Sequence, residues 1–191
     1  MNPEGDPDVQ LMLAVQRGDD SAFRQLFEKH IAAVVGFATQ FVGVRARAEE
    51  VAQQVFLQIY RTRAQYRPRA RFTTWLYRMV TNACLSEVRR AEYHGRFVPI
   101  APSGEAEGEM AVVVDPPTRS TEDALLSREA MDRMRAALDQ LPAQQRAALL
   151  LARVEGMSYE EVATSLSCSV SAVKSLIHRA TVTLRDVLRE T

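Results

Sequence analysis

Residues 61–90 carry eight arginines, four aromatic rings and a single acid, Glu87. The rings are Tyr66, Phe72, Trp75 and Tyr77, and the chain as a whole is formally neutral, so the positive charge is a local feature. Guanidinium groups neutralise phosphate and flat rings stack on unpaired bases, which suits single-stranded or opening nucleic acid. The same residues also fit a plainer description. Phe72, Trp75, Leu76, Met79 and Val80 recur at spacings of three and four, the pattern of a helix packing a core with arginines on its solvated face. In residues 158–188 a short helix, a polar turn at 167–169 and a longer helix read as a helix-turn-helix. Its second helix would present Ser171, Ala172, Lys174, Ser175, His178 and Arg179 to a major groove. An αα-hairpin of a helical interaction domain has the same pattern.

Other chemistries lack their parts. There is no glycine-rich phosphate loop, no GxSxG elbow, and no cysteine with a plausible histidine and acid, so no catalytic residue is expected. The paired carboxylates Asp19–Asp20 and Glu160–Glu161 lie near expected helix starts, where capping explains them. His30, His94 and His178 never fall at ligand spacing with Cys84 or Cys168, so neither metal nor cofactor is expected. Each cysteine reads as a small buried residue in a reducing compartment.

The elements that must hold these groups are helical. Asp6 and Pro7 open an amphipathic helix with Val9, Leu11, Met12 and Val15, ending near Gly18. Asp19 or Asp20 caps a long helix whose apolar face runs from Phe23 to Phe41 and stops at Gly43. A third, over about 46–62, buries Val51, Ala52, Val55, Phe56, Ile59 and Tyr60. Pro68 breaks the pattern, so residues 66–71 are expected as a loop presenting Tyr66 and its arginines at the surface. Thr73 or Thr74 would cap a fourth helix running to about residue 92. Residues 95–123 lose helical periodicity and hold six acids against two arginines, a linker in which 110–114 is at most an extended segment. Helices resume with a stripe of Leu125, Leu126, Met131, Met134, Leu138 and Leu141, then a helix from Pro142 toward Gly156, and a capping box of Ser158 with Glu161. The expectation is an all-α protein with a helical domain at 1–94, a flexible acidic linker at 95–123 and a helix-turn-helix domain at 124–191. No window is apolar enough to span a membrane, and the acidic N-terminus does not read as a signal peptide, so a cytoplasmic protein is expected.

Three phrases, in this order, resemble the extracytoplasmic-function (ECF) sigma factors of bacteria. AEEVAQQVFLQIYR is similar to the family's core-polymerase-binding helix, YRPRARFTTWLYRMVTNACLSEVRR to its minus-10 reading segment, and LPAQQRAALLLARVEGMSYEEVATSLSCSVSAVKSLIHRA to its minus-35 domain. The resemblance implies polymerase contacts at Glu49, Glu50, Gln53, Gln54, Phe56 and Leu57. It implies minus-10 contacts at Tyr66, Arg69, Arg71, Phe72, Trp75, Arg78, Asn82, Arg89 and Arg90, with Tyr66 and Asn82 forming a pocket for a flipped base. For minus-35 it implies Ser169, Ser171, Ala172, Lys174, Ser175, His178 and Arg179. The implied partners are core RNA polymerase, promoter DNA and an anti-sigma factor, with the chain otherwise a monomer. Gln54 departs from a usual acid. Ser169, Ser171, Ala172 and Leu176 replace the proline, glycine, threonine and arginine often found around the turn, and Thr181 and Thr183 lie where basic residues are common, so weaker phosphate and guanine contacts are expected at minus-35. Two other readings remain open from the residues alone: a stand-alone helix-turn-helix regulator, and a helical interaction decoy.

Overall fold

The computed structural model describes residues 5–93, 130 and 132–190, and the described residues form an α-helical fold. Helix α1 (Pro7–Gln16) starts where expected: Asp6 is extended, its Oδ1 accepts the Asp8 amide at 3.0 Å, and Pro7 occupies the first turn. Helix α2 (Asp20–Val42) is capped by Asp19, which accepts the Ser21 and Ala22 amides at 2.9 and 3.1 Å. Those bonds stabilise the ionised carboxylate and lower its pKa. At its far end Gly43 takes φ 76°, a left-handed conformation that glycine adopts without steric cost. Helix α3 (Arg45–Thr62) runs into a 3-10 turn, Arg63–Gln65, and α4 (Phe72–Tyr93) follows the loop 66–71.

The four helices share one core. Val9, Met12 and Val15 of α1 meet Leu26, Val34, Phe37 and Phe41 of α2, Val51, Val55, Phe56 and Ile59 of α3, and Phe72, Leu76, Val80 and Cys84 of α4. Burying each such side chain contributes about 1.5–3 kcal/mol, which holds the exposed faces of α3 and α4 in a fixed relation. One charged cluster lies within this packing. Asp8 is buried, with Lys29 Nζ at 2.6 Å and His30 Nε2 at 2.9 Å.

The second group comprises α5, helical over residues 132–139, α6 (Ala143–Arg153), α7 (Tyr159–Leu166) and α8 (Val170–Glu190). Ser158 and Glu161 form the expected capping box, at 2.9 and 3.2 Å. Ser167 takes φ 53° in the turn to α8, and Ser169 Oγ accepts the Ala172 amide at 3.1 Å. The two groups pack directly on each other. Arg146 of α6 is buried and donates to the Phe41 carbonyl at the end of α2 and to Asp139, all at 2.9 Å. Ser165 Oγ donates to the Thr74 carbonyl at 3.2 Å, and Thr74 Oγ1 donates to Glu161 at 3.4 Å.

Four expectations need correction. Met134 is exposed, because the stripe it belongs to meets the core only from Ala137 onward. Cys168 is only half-buried, since it sits in the turn, whereas Cys84 is fully buried. Helix α4 begins at Phe72, before either threonine; its first amide is capped by Asp6 Oδ2 at 3.0 Å, from 66 residues away. Tyr66 is not presented at the surface, being 3% exposed beneath the loop. Leu125, Leu126, Met131, His94, the linker 95–123 and its segment 110–114 lie outside the described residues.

Candidate nucleic-acid and polymerase interfaces

The outer face of α3 carries Glu50, Gln53, Gln54 and Leu57 at spacings of three and four, all exposed. Leu57 is 54% exposed, an apolar side chain inside a polar stripe. Glu49 lies beside them, paired with Arg45 at 3.0 Å. Phe56 does not join this face. Its ring turns inward against Phe27 at 4.9 Å and Phe23 at 6.5 Å, because position 56 falls on the helix side that packs on α2.

On α4, Trp75, Arg78, Asn82 and Arg89 fall on one stripe, the tryptophan half-buried and the others exposed. Arg90 pairs with Glu87 at 3.0 Å, and Arg47 reaches the same acid at 3.4 Å. The stripe begins beside a nest of rings. Tyr66 meets Trp75 edge-on at 4.8 Å, Trp75 tilts over Phe72 at 5.8 Å, and Phe72 lies 5.4 Å from His30. Phe72 is fully buried, so it supports the nest from beneath rather than touching a ligand. The Tyr66 hydroxyl is buried with no hydrogen-bond partner among the described residues. Burial, and secondarily the charge of Asp6, push its pKa up to about 12, so it is a neutral donor. Arg69 is exposed, and Arg71 reaches Glu161 of α7 at 3.9 Å.

On α8, Ser171, Lys174, Ser175, His178 and Arg179 face outward, while Val173, Ile177 and Ala180 anchor the helix. Ala172 is half-buried. The Ser175 hydroxyl is occupied by the Ser171 carbonyl at 3.1 Å, and Ser169 serves as helix cap, so neither side chain is an uncommitted base reader. Among the described residues the exposed cations of this face are Lys174 and Arg179, with His178 between them, followed two turns on by Arg185.

Between the two groups a cavity of about 310 Å³ is lined by His30, Arg71, Tyr77, Glu155 and Glu161 among others. Burial raises the Glu155 carboxyl above its ordinary range, partly opposed by a hydrogen bond from Tyr77, whose own hydroxyl is pushed up chiefly by burial. Charges of both signs line it, and it lies at the seam rather than inside the N-terminal bundle. Sequence reasoning missed Asp8, Gln16 and Arg146. Buried Asp8 and Arg146 have no signature beyond an acid or arginine interrupting an apolar stripe, and the neutral, half-buried Gln16 has none.

The chain's matches follow the same division. Residues 26–93 match Sigma-70 region 2 and residues 131–184 match Sigma-70, region 4. It is similar to the RNA polymerase sigma-H factor of Pseudomonas aeruginosa, 36% identical over 178 residues that cover 91% of this chain and 89% of that one. The ECF RNA polymerase sigma-E factor of Escherichia coli K12 is 29% identical over 177 residues, covering 91% and 90%. The fold is shared with the sigma factor RpoE of Bartonella quintana, solved in complex with the anti-sigma factor NepR, at a TM-score of 0.63 and 24% identity over 87% of this chain and 96% of that one. With both regions in order and a relative above 30% identity along nearly its whole length, the chain belongs to the ECF family of RNA polymerase sigma factors.

Proposed function

We propose that this sigma factor docks on core polymerase through Glu49, Glu50, Gln53, Gln54 and Leu57, captures an opened minus-10 base beside Tyr66, Trp75 and Asn82, and reads minus-35 through α8. The observation that carries this reading is the α4 stripe. A half-buried tryptophan beside the Tyr66 hydroxyl, which has no partner among the described residues, heads a stripe that continues along α4 through exposed Arg78, Asn82 and Arg89, offering opened DNA a stacking surface, polar groups and cations for its backbone. Stacking one base returns about 1–3 kcal/mol, close to the few kcal/mol that flipping it costs. Opening ten duplex steps at about 1.4 kcal/mol each costs on the order of 14 kcal/mol, so the chain captures opened DNA but needs polymerase to open it. The protein acts by binding rather than by catalysis, in the cytoplasm where polymerase is. Because RpoE of Bartonella quintana was solved with an anti-sigma factor, a protein of that kind is the expected restraint.

The test is run-off transcription by core polymerase on a pooled library of randomised promoters, with and without the protein. Enriched promoters sharing two elements at fixed spacing are the expected result. Polymerase binding without protein-dependent transcripts would favour a decoy, and specific duplex binding in the absence of polymerase a stand-alone regulator.

A further inference from the structure

Helix α1 holds both ends of the loop 66–71. At its last residue, Gln16 Nε2 lies 3.2 Å from the Arg63 carbonyl, 3.0 Å from that of Ala64 and 3.1 Å from that of Tyr66. A side-chain amide nitrogen has two hydrogens, so three carbonyls share two donors and the turn is gathered around one group. Arg67 Nη1 adds bonds to two of the same carbonyls, at 3.3 Å to Ala64 and 2.9 Å to Tyr66. At the other end of α1, one carboxylate caps two helices: Asp6 Oδ1 accepts the Asp8 amide and Oδ2 accepts the Phe72 amide, both at 3.0 Å. Ten residues at 1.5 Å each set these anchors roughly 15 Å apart on a single rigid rod. The rod is itself locked, by buried Val9, Met12 and Val15 and by Asp8 against Lys29 and His30.

The loop between the anchors bears Tyr66, Arg69 and Arg71, and ends at Phe72. Unrestrained, it would sample many backbone conformations, and every captured base would have to order it. We propose that Gln16 and Asp6 are positioning residues for minus-10 recognition: they touch no DNA, and α1 pre-orders the base-capturing loop through them. This rests on the sigma-factor function stated above. The effect should appear as sharpness of base choice at minus-10 and should leave minus-35 choice, made on α8, unchanged.

The test uses full-length chain with core polymerase on promoters randomised at both elements, comparing wild type with Gln16→Leu, Gln16→Glu and Asp6→Asn. Gln16→Leu should flatten the preference for the favoured minus-10 base about tenfold, the scale of one or two lost hydrogen bonds, with minus-35 preference and polymerase affinity kept. Gln16→Glu keeps the shape but faces three carbonyls with a carboxylate, so its loss should be at least as large. Asp6→Asn keeps one acceptor oxygen and should fall between wild type and Gln16→Leu. Wild-type minus-10 preference in the variants would overturn the proposal, as would equal flattening of both elements. So would a uniform drop in transcript with both preferences intact, which is what a merely structural role produces. If Gln16→Leu shows no cooperative melting transition, the near-isosteric Gln16→Glu and Asp6→Asn decide by the same criterion. Absence of transcripts with the wild-type chain would overturn the underlying function, whereas a variant with unchanged minus-10 choice overturns the proposal alone.

Discussion

Phe56 and Leu57 are neighbours in sequence and opposites in role. Phe56→Ala should cost about 3–5 kcal/mol of stability, because it empties a site between Phe23 and Phe27 that the surrounding helices cannot close. Leu57→Ala should change stability by less than about 0.5 kcal/mol yet weaken polymerase binding about tenfold, as an exposed anchor does. Thermal melting and a competition assay on core polymerase separate the two. A similar contrast exists on α8. Lys174→Ala should relax minus-35 selectivity by about 1–3 kcal/mol, while Ser175→Ala should change it little, since that hydroxyl is already bonded to the Ser171 carbonyl. Promoter selection with each variant checks this. Periodicity placed Phe56 on the buried side of its helix, where it lies, and only the family resemblance made it a candidate for the polymerase-binding face beside Leu57.

At the scale of elements, most helix starts were legible because their caps are local. Asp6, Asp19 and the Ser158–Glu161 box lie within three residues of the amides they satisfy. Ser158→Ala should lower stability by about 1 kcal/mol, read as a fall in thermal midpoint. It should also loosen α7 against α4, because Glu161 is shared between the box, Thr74 and Arg71. The start of α4 was not legible for the opposite reason. Its cap arrives from Asp6, and nothing near Phe72 in sequence announces it. The loop 66–71 was recognisable from Pro68, but the inward turn of Tyr66 depends on Trp75 and on the carbonyls gathered by Gln16.

For the whole molecule, the packed arrangement of the two helical groups sets a requirement on function. Promoter elements two and a half duplex turns apart are separated by roughly 85 Å, which helices joined through Arg146–Phe41 and Ser165–Thr74 contacts cannot span. Paired labels on exposed positions of α4 and α7, which pack on each other, should therefore be close in the free chain and move apart by tens of ångströms in the polymerase–promoter complex, as a distance measurement would show. The seam should also respond to pH. Burial raises the folded-state pKa of Glu155 above its ordinary 4.5, so its stabilising contribution is complete below 4.5 and is lost as pH rises through the raised value. Accordingly, Glu155→Gln should melt close to wild type below pH 4.5 and increasingly above it as pH approaches neutrality. Arg71, Tyr77, Glu161 and His30 line the same cavity and are common to both proteins, so the difference isolates Glu155.

The sequence by itself determined the helices, the caps that lie beside their own helix starts, the separation of a basic aromatic segment from a helix-turn-helix, and the family. These depend on residue spacing within a few turns, and spacing is what a linear text records. Only the tertiary structure decided that Tyr66 and Phe72 turn inward, that Asp6 and Gln16 of α1 anchor the loop, and that Arg146 and Glu155 sit in the seam between the groups. Each of these is a contact across tens of residues, where burial and pairing are set by which helix faces meet, and no local pattern encodes that meeting.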